Sequence, residues 1–503
     1  MKKKQEQVEV KELTVEDIKR LMDEADASDW KKQAQKGDEY YNAEHDIKDY
    51  RIFYYNKDGE LVEDKTRSNQ KIPHPYFTEL VDQAVQYILS GEDGIIKSDI
   101  PELQKELDKY FNQNEDFIAE LSEALTDCQT KGTAFMYAYM NEEGRTAFEC
   151  ADSLGVIEVR AKDTDTDTDC VIYWYVDRIE KGQKQIRRIQ VWDSEKVTYY
   201  VQDGFGMPEL DTSEEMNPKP HILYKKEGDS KTYYKGFGYI PFFKMKNNKK
   251  QVSSLKPIKP LIDDYDIHAS SLTNNLVDFD TPIYAVKGFE GDDLDKLGTN
   301  LKSRKVLGLP EEGGVEVHTI DIPYQARKEK LELDEKNIYR FGMGLNTAGL
   351  KDTNATTNIA IKAAYSLLDL KCSKIIIQLK KFLRSILKVV IAEINTNTKK
   401  GYKTTDVYFN FEPEVMSNAQ ENAQIKLTEA QEQQARITTL LNLAAHLDNE
   451  TLMQNICEVL DLEWDKIKDK LPDPDEAEND VKDAQDVLND VPVEDGVEDG
   501  MVG

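Results

Sequence analysis

The chain has 503 residues and a net charge of −30, and 39% of its residues are hydrophobic while 32% are charged. This length allows more than one structural unit, and this composition favours a folded, helix-rich protein over a disordered one. The excess of negative charge argues against a broad basic face that would grip duplex DNA. Polar residues follow the basic residues 1–5, and four cations interrupt the apolar stretch 375–394, so we expect neither a secretory signal nor a transmembrane helix.

The first half of the chain predicts a mixed unit of helices and strands. Hydrophobic residues at three- and four-residue spacing predict helices, and short alternating runs between charged turns predict strands. The predicted elements are a helix at 14–22 capped by Thr14, short β pieces over 40–64 with a hairpin at 54–62, a helix at 77–88 that Gly91 stops, a helix at 116–130, a strand at 133–140, and a β-rich block that extends to about residue 235.

The second half predicts longer helices. The predicted elements are a helix at 260–279 with a stripe of Leu261, Tyr265, His268, Leu272 and Leu276, β and turn character at 281–322, a charged helix at 324–341, a loop at 342–358, a long helix at 359–394, a strand at 406–411, and helices at 418–445 and 450–470. From residue 472 onward, twelve acidic residues face a single lysine, which predicts a disordered tail of net charge −11.

The run Asp163–Asp169 is the most conspicuous candidate for chemistry. Alternating carboxylates can chelate Ca²⁺, but the Gly and Glu that an EF-hand loop needs are replaced by Thr168 and Trp174. We therefore interpret the run as a solvated hairpin tip. The five cysteines are scattered and odd in number, which predicts free thiols in a reducing compartment, and no nucleotide-binding or hydrolase motif is present. The sequence predicts no metal, no cofactor and no catalytic site.

Several short stretches follow one another in a specific order along most of the chain. They are Tyr40-Tyr41 with Asp46-Ile47 and Tyr54-Tyr55, Leu80-Val81-Asp82-Gln83 with Tyr87 and Gly91, Lys131-Gly132 and Glu143-Gly144 around an aromatic strand, Gly238 to Phe243 with Asn247-Asn248, Leu261 to Asp266, and Ala364 with Leu367 to Lys371. The ordered series, from about residue 40 to 471, resembles the portal proteins of long-tailed phages that infect Gram-positive bacteria.

The resemblance implies an α+β ring subunit with the phage portal fold of wing, stem, clip and helical crown. It divides the chain into a polar N-terminal segment (1–30), a wing that is β-rich in its second half (31–245), a first stem helix region (246–280), a clip (281–322), a second stem helix (323–341), a tunnel loop (342–358), a long helix with a return strand to the wing (359–416), a helical crown (417–471) and an acidic disordered tail (472–503). Because Pro257 and Pro260 fall where the first stem helix would begin, we expect that helix to start at Pro260 or to be kinked before it.

The function that the resemblance implies is a ring channel at one capsid vertex, used for DNA packaging, retention and ejection. The implied partners are further copies of the chain in a cyclic homo-oligomer (a dodecamer in the family), double-stranded DNA in the channel, the terminase, the head–tail connector or adaptor, and capsid and scaffolding proteins, with no membrane. The implied location is the portal vertex of the virion, and the host cytoplasm during assembly.

Polar side chains in the tunnel loop and cations in the clip are the candidate DNA contacts. The tunnel-loop candidates are Asn346, Thr347, Lys351, Asn354 and Thr356, and the clip candidates are Lys302, Arg304 and Lys305. We expect the loop glycines to supply mobility. A channel must let a polyanion pass in both directions, so an acidic subunit with isolated cations suits passage better than binding.

Two alternatives from other classes remain open. One is a metal-dependent phosphoryl-transfer enzyme or nuclease that uses the Asp163–Asp169 run. The other is a different structural phage protein, such as a head–tail adaptor. The length of the chain and the long helix after a Gly-containing loop argue against the adaptor.

Overall fold

The chain is described here from a computed structural model. The residues described are 13–91, 94–160, 168–180, 184–225, 232–279, 283–287, 314–318, 323–346, 358–411 and 419–460, together with 464 and 468. The chain divides into two compact units, one formed by residues 1–355 and 359–415 and the other by 356–358 and 416–503.

The first unit contains helices that carry most of its core. They are α1 (Val15–Ala27), α2 (Asp29–Tyr41), α3 (Tyr76–Leu89), α4 (Pro101–Tyr110), α5 (Glu115–Lys131), α6 (Lys259–Phe279), α7 (Tyr324–Gly342) and α8 (Asn358–Thr398). The predicted helices at 77–88, 116–130, 260–279, 324–341 and 359–394 are confirmed, and so is the cap at Thr14, whose hydroxyl accepts the Asp17 N–H. At 41 residues, α8 is about 60 Å long if straight.

The prediction of β pieces from residue 40 onward is wrong at its start. Tyr40 lies in the last turn of α2 and is fully buried. The buried face of this helix also includes Lys31 and Gly37, which are not residues that mark an apolar stripe. Gly37 is needed because a Cβ there would lie 1.9 Å from the Thr130 carbonyl oxygen of α5.

The strands of the first unit are short and antiparallel. They are β1 (Phe53–Tyr55), β2 (Leu61–Glu63), β3 (Ile96–Lys97), β4 (Thr133–Met140), β5 (Thr146–Ala151), β6 (Val156–Val159), β7 (Cys170–Glu180), β8 (Lys184–Trp192), β9 (Lys196–Asp203), β10 (Glu209–Leu210), β11 (Lys219–Pro220), β12 (Ile222–Lys225), β13 (Thr232–Lys235), β14 (Phe242–Lys246), β15 (Ile283–Lys287), β16 (Gly314–His318) and β17 (Tyr408–Phe409).

Two sheets and several two-stranded ribbons result. The larger sheet has the order β10-β9-β8-β7-β6, with β11 also paired to β9, and the smaller has the order β14-β4-β5. The predicted hairpin at 54–62 is confirmed by the pairing of β1 with β2. Strand β17 follows the long helix and pairs with β3, which brings the chain back to the first half of the unit.

The main core lies among α3, α4, α5, α8 and the inner face of the smaller sheet. A second cluster joins the two sheets around Phe135, Val171 and Trp192. A third places Ile18 and Met22 of α1 against Ile172 and Ile189 of the larger sheet. The long helix is thus a central element of the first unit. No helix within the described residues is both long and apolar enough to cross one.

The prediction for the face of α6 is only partly correct. Leu261 and Tyr265 of the expected stripe pack against the main core, but Leu276 is half exposed. The most buried face runs through Ile262, Asp266, Ser270 and Asn274, and because three of these four residues are polar, hydrophobic periodicity does not reveal it. The helix begins at Lys259, one residue before Pro260, which occupies the first turn where no backbone N–H is needed.

The second unit contains two helices in its described part, α9 (Ala419–Asn442) and α10 (Asn449–Val459), with a short 3₁₀ turn at Ala444–His446 between them. Asp448 caps α10 by accepting the Thr451 N–H at 2.9 Å. The two predicted helices are confirmed, with α10 shorter than expected in the described residues. The acidic tail at 472–503 lies outside them.

Candidate functional site

The predicted tunnel loop begins at the C-terminus of α7, where the backbone conformation is fixed by a helix cap. Met343 adopts a left-handed conformation and its N–H caps the Tyr339 carbonyl. Gly344 follows, and a Cβ there would lie 2.1 Å from Leu80 Cδ2 of α3. The prediction that the loop glycines supply mobility is therefore wrong for Gly342 and Gly344, because both lie against Leu80 and allow the close approach of the loop base to α3.

Gln83 of α3 holds the next residue of the loop through two hydrogen bonds. The Leu345 N–H donates to Gln83 Oε1 at 2.9 Å, and Gln83 Nε2 donates to the Leu345 carbonyl at 3.0 Å. The Leu345 side chain is buried beside them. One turn earlier on α3, Glu79 accepts the Tyr339 hydroxyl at 2.7 Å. The amide of Gln83 thus acts as a clamp for the backbone of an otherwise irregular segment.

The long helix that follows the loop is attached to the same face of α3. Lys371 Nζ donates to the Leu80 carbonyl at 2.8 Å, and Cys372 Sγ lies 3.8 Å from the Ala84 carbonyl. Desolvation of the Lys371 ammonium lowers its pKa to about 8. Helix α3 therefore anchors the first residues of the loop and a buried turn of α8 around Lys371 and Cys372. Gln83 and Lys371 were named from the sequence only as part of the family resemblance. The contact of Gln83 with Leu345 and that of Lys371 with Leu80 each span more than 260 residues, and no local sequence pattern indicates them.

A buried carboxylate joins α6 to the segment between α2 and α3. Asp266 accepts from His45 Nδ1 at 2.6 Å and from His74 Nδ1 at 2.9 Å. The other ring nitrogen of His45 lies 3.2 Å from the Tyr40 carbonyl oxygen. Burial by itself raises the pKa of Asp266, but the hydrogen bonds from the two histidines lower it below the ordinary value.

The same face of α6 carries a row of side-chain oxygens that we call the polar ladder: Asp266, Ser270, Asn274 and Asp278. They accept, at 2.9, 3.1, 2.7 and 3.1 Å, the N–H groups of His74, Ile72, Gln70 and Ser68. Four residues of a helix rise about 6 Å and two residues of an extended chain rise about 6.6 Å. Every fourth side chain of α6 can therefore meet every second N–H group of the segment 68–74. The ladder therefore fixes an extended segment, 68–74, along α6.

The structure reaches only some of the predicted site residues. Asn346 is described, and its amide lies 3.4 Å from Glu335 Oε1 on α7, which turns it back toward the helix. The other predicted site residues lie outside the described residues; they are Thr347, Lys351, Asn354 and Thr356 of the loop and Lys302, Arg304 and Lys305 of the clip. Residues 163–167 of the acidic run also lie outside them. Within the described residues, no group of three or more His, Cys, Asp or Glu side chains is arranged to hold a metal ion.

Helices α6 and α7 flank the paired strands β15 and β16 along the chain, and α8 follows α7 and packs in the main core. This is the order of stem, clip and long helix that the resemblance to portal proteins implies. The chain belongs to that family: the family model described as phage portal protein, SPP1 Gp6-like, matches residues 23–471. The family, the α+β portal fold and the portal function predicted from the sequence are thereby confirmed.

Curated relatives agree with the family match. The chain is 29% identical over 369 residues to the portal protein of Bacillus phage SPP1, covering 73% of this chain and 71% of the relative. It is 24% identical over 403 residues to the portal protein of Clostridium phage phiCD119, covering 74% of this chain and 83% of the relative. Among solved structures, a chain from the neck of a native GTA particle is similar at 11% identity and a TM-score of 0.38, covering 76% of this chain and 89% of that one. Neither relative supports the phosphoryl-transfer or nuclease alternative.

Proposed function

We propose that copies of this chain close into a dodecameric ring at the portal vertex of the virion, and that double-stranded DNA passes through the ring during packaging and ejection. The observation that carries the proposal is the family match over residues 23–471. In this assignment the ring assembles in the host cytoplasm with capsid and scaffolding proteins, and the chain performs no catalysis. Its partners beyond DNA are the terminase and the head–tail connector, which dock on the clip at 281–322.

The domain assignment rests on the order of elements. In it, α6 and α7 form the stem, the paired strands β15 and β16 form the described part of the clip, and 342–358 forms the tunnel loop. Support comes from the anchoring of the start of that loop on α3 through Gln83, and from the attachment of α8 to the same helix through Lys371, thirteen residues beyond Asn358. A loop that faces moving DNA needs a base that does not move with it, and the Gln83 hydrogen bonds supply such a base at its start. The proposed DNA contacts remain those predicted from the sequence. They are Asn346, Thr347, Lys351, Asn354 and Thr356 of this loop, and Lys302, Arg304 and Lys305 of the clip.

The ring is tested by native mass spectrometry and negative-stain imaging of the purified chain. We expect closed rings. Monomers alone at micromolar concentration would contradict the proposal.

The tunnel loop is tested by replacing residues 347–356 with a Gly-Ser segment of equal length. The anchors at Leu345 and Lys371 stay in place, so rings should form as before while DNA packaging or retention decreases. An equal-length Gly-Ser replacement of 161–167 is the control and should leave packaging unchanged. Packaging that is unaltered by the loop replacement counts against the assignment of 342–358.

The same control addresses the enzyme alternative. Purified wild type and the 161–167 replacement are incubated with DNA and Mg²⁺ or Ca²⁺. We expect no cleavage by either protein. Metal-dependent cleavage by the wild type that the replacement abolishes would favour a nuclease that uses the Asp163–Asp169 run.

A further inference from the structure

The β1–β2 hairpin exposes an unusual amount of apolar surface. Its large hydrophobic side chains are Tyr55, Leu61, Phe53, Tyr54 and Val62, exposed by 73, 59, 51, 50 and 37%. The register opposes Tyr54 to Val62 on one face and Tyr55 to Leu61 on the other. Since neighbouring residues of a strand point to opposite faces, both faces of the hairpin are apolar and uncovered. A two-stranded ribbon without a packed face is marginal in water, so this element needs a partner surface.

The hairpin is nevertheless well formed and firmly held. Asn56 Oδ1 accepts the N–H groups of Asp58 and Glu60 at 3.0 and 2.8 Å, and Gly59 takes the left-handed conformation that the turn requires. Strand β2 ends at Glu63, and four residues separate it from residues 68–74, which the polar ladder fixes to α6. The apolar side chains are therefore presented on a preformed element at a defined position, which reduces the entropy lost on docking.

Charge points to a second copy of the chain as the partner. The whole chain carries −30, and copies with this charge repel one another. Residues 50–67, in contrast, contain four basic and four acidic residues, so the hairpin region is neutral. It is therefore a part of the surface that can approach an acidic neighbour without electrostatic cost. Two apolar faces also require a cleft that covers both, as a heterologous interface between successive copies of a ring can provide.

We propose that the β1–β2 hairpin of each copy inserts into the adjacent copy and forms an apolar part of the ring interface. This inference rests on the ring assembly proposed above and names a contact that holds it together.

The first experiment compares assembly of the wild type with the double variant Tyr55→Thr/Leu61→Thr. Threonine keeps the β propensity of the strands and removes the apolar contact. If two large side chains become buried in each interface, the concentration at which half of the protein is in rings should rise by at least about tenfold. The single variant Lys57→Thr, in the turn of the same hairpin, is the matched control and should assemble as the wild type does. Circular dichroism and thermal unfolding check that the variants are folded.

A second experiment does not depend on loss of function. A photo-crosslinking phenylalanine analogue is placed at Tyr55 in the purified chain, where no other protein is available. The expected product is a covalent dimer that forms only when rings are present. Rings that yield no dimer from position 55, or a double variant that assembles with the wild-type concentration dependence, would overturn the hairpin contact while leaving the ring intact. If the wild type itself forms no rings, the proposed function and this inference both fail, and the first measurement shows that directly.

Discussion

At the scale of single residues, the carboxylate of Asp266 is the most deeply buried charged group of α6. It is buried together with His45 and accepts hydrogen bonds from two histidines that come from a distant part of the sequence. A buried charge of this kind is stable only while its partners are present, because its desolvation is not otherwise compensated. The neighbouring Asp264 bonds to Lys330 instead and is half exposed.

We predict that Asp266→Asn lowers the free energy of unfolding by about 3 kcal/mol near neutral pH, since a neutral amide replaces the buried carboxylate that accepts hydrogen bonds from both histidines. Asp264→Asn is the control, and a change within about 1 kcal/mol is expected for it. The pKa of Asp266 is lowered in the folded chain, so its contribution is present above the ordinary value of 3.8 and is lost as the pH falls through the folded value. Chemical denaturation of both variants measures this, and equal stabilities of wild type and Asp266→Asn at neutral pH would contradict this role of the carboxylate.

Lys371 gives a second pH-dependent prediction, in which the charged form of the group destabilises the fold. Its pKa is about 8 when folded against a reference of 10.5, so between these values the unfolded chain binds a proton that the folded chain has released. Unfolding free energy should therefore rise with pH across this window, relative to a variant that lacks the group, by about 1–3 kcal/mol. The comparison is wild type against Lys371→Met, with the exposed Lys374→Met as control. A difference between wild type and Lys371→Met that does not change from about pH 7 to about pH 11 would show that Lys371 is not desolvated.

At the scale of elements, α3 and α6 are the two helices that organise the proposed function. Helix α3 binds the first residues of the loop, and α6 binds the extended segment 68–74 that follows the β1–β2 hairpin in the chain. Sequence periodicity located both helices, because each has enough regular spacing to predict a helix. It predicted the buried face of α3 correctly, through Leu80, Val81 and Ala84, but not that of α6. The difference arises because α6 is buried against backbone N–H groups, which side-chain oxygens satisfy and apolar residues cannot.

We predict that Asn274→Leu loosens the extended segment without unfolding the chain. The substitution removes the acceptor for the Gln70 N–H and the donor to the Gln70 carbonyl, which lie at 2.7 and 3.1 Å. Losing these partners should cost about 1–3 kcal/mol locally. Hydrogen–deuterium exchange of peptides that cover 68–74 should accelerate. Thr273→Val is the control, because the Thr273 hydroxyl bonds to the Ala269 carbonyl of its own helix, and unchanged exchange in Asn274→Leu would contradict the polar ladder.

At the scale of the whole molecule, charge governs how copies meet. Each chain carries −30, of which −11 lies after residue 471, so assembly brings like charges together. The hairpin region is neutral, and its apolar contacts are insensitive to salt, whereas repulsion between exposed charges is screened over about 30 Å at 0.01 M and about 8 Å at 0.15 M ionic strength.

We predict that added salt strengthens ring assembly. The concentration of half-assembly should fall when the ionic strength is raised from about 0.02 M to about 0.2 M, because screening reduces the repulsion. A variant that ends at residue 471 lacks the tail charge and should show a smaller dependence on salt. Native mass spectrometry or mass photometry across a dilution series measures both. Assembly that weakens as salt increases would instead indicate an interface made by ion pairs.

The sequence by itself determined the secondary elements, the acidic surface and the family, because these depend on local spacing, on composition and on an ordered series of short stretches. The tertiary structure decided which residues anchor the loop, which face of α6 is buried and which hairpin is left uncovered. The Gln83 clamp joins residues 262 apart, and the Asp266–His74 contact joins residues 192 apart. Polar contacts over such separations have no periodicity to reveal them, because a hydrogen bond depends on where two atoms meet in space and not on the spacing of either residue along its own helix.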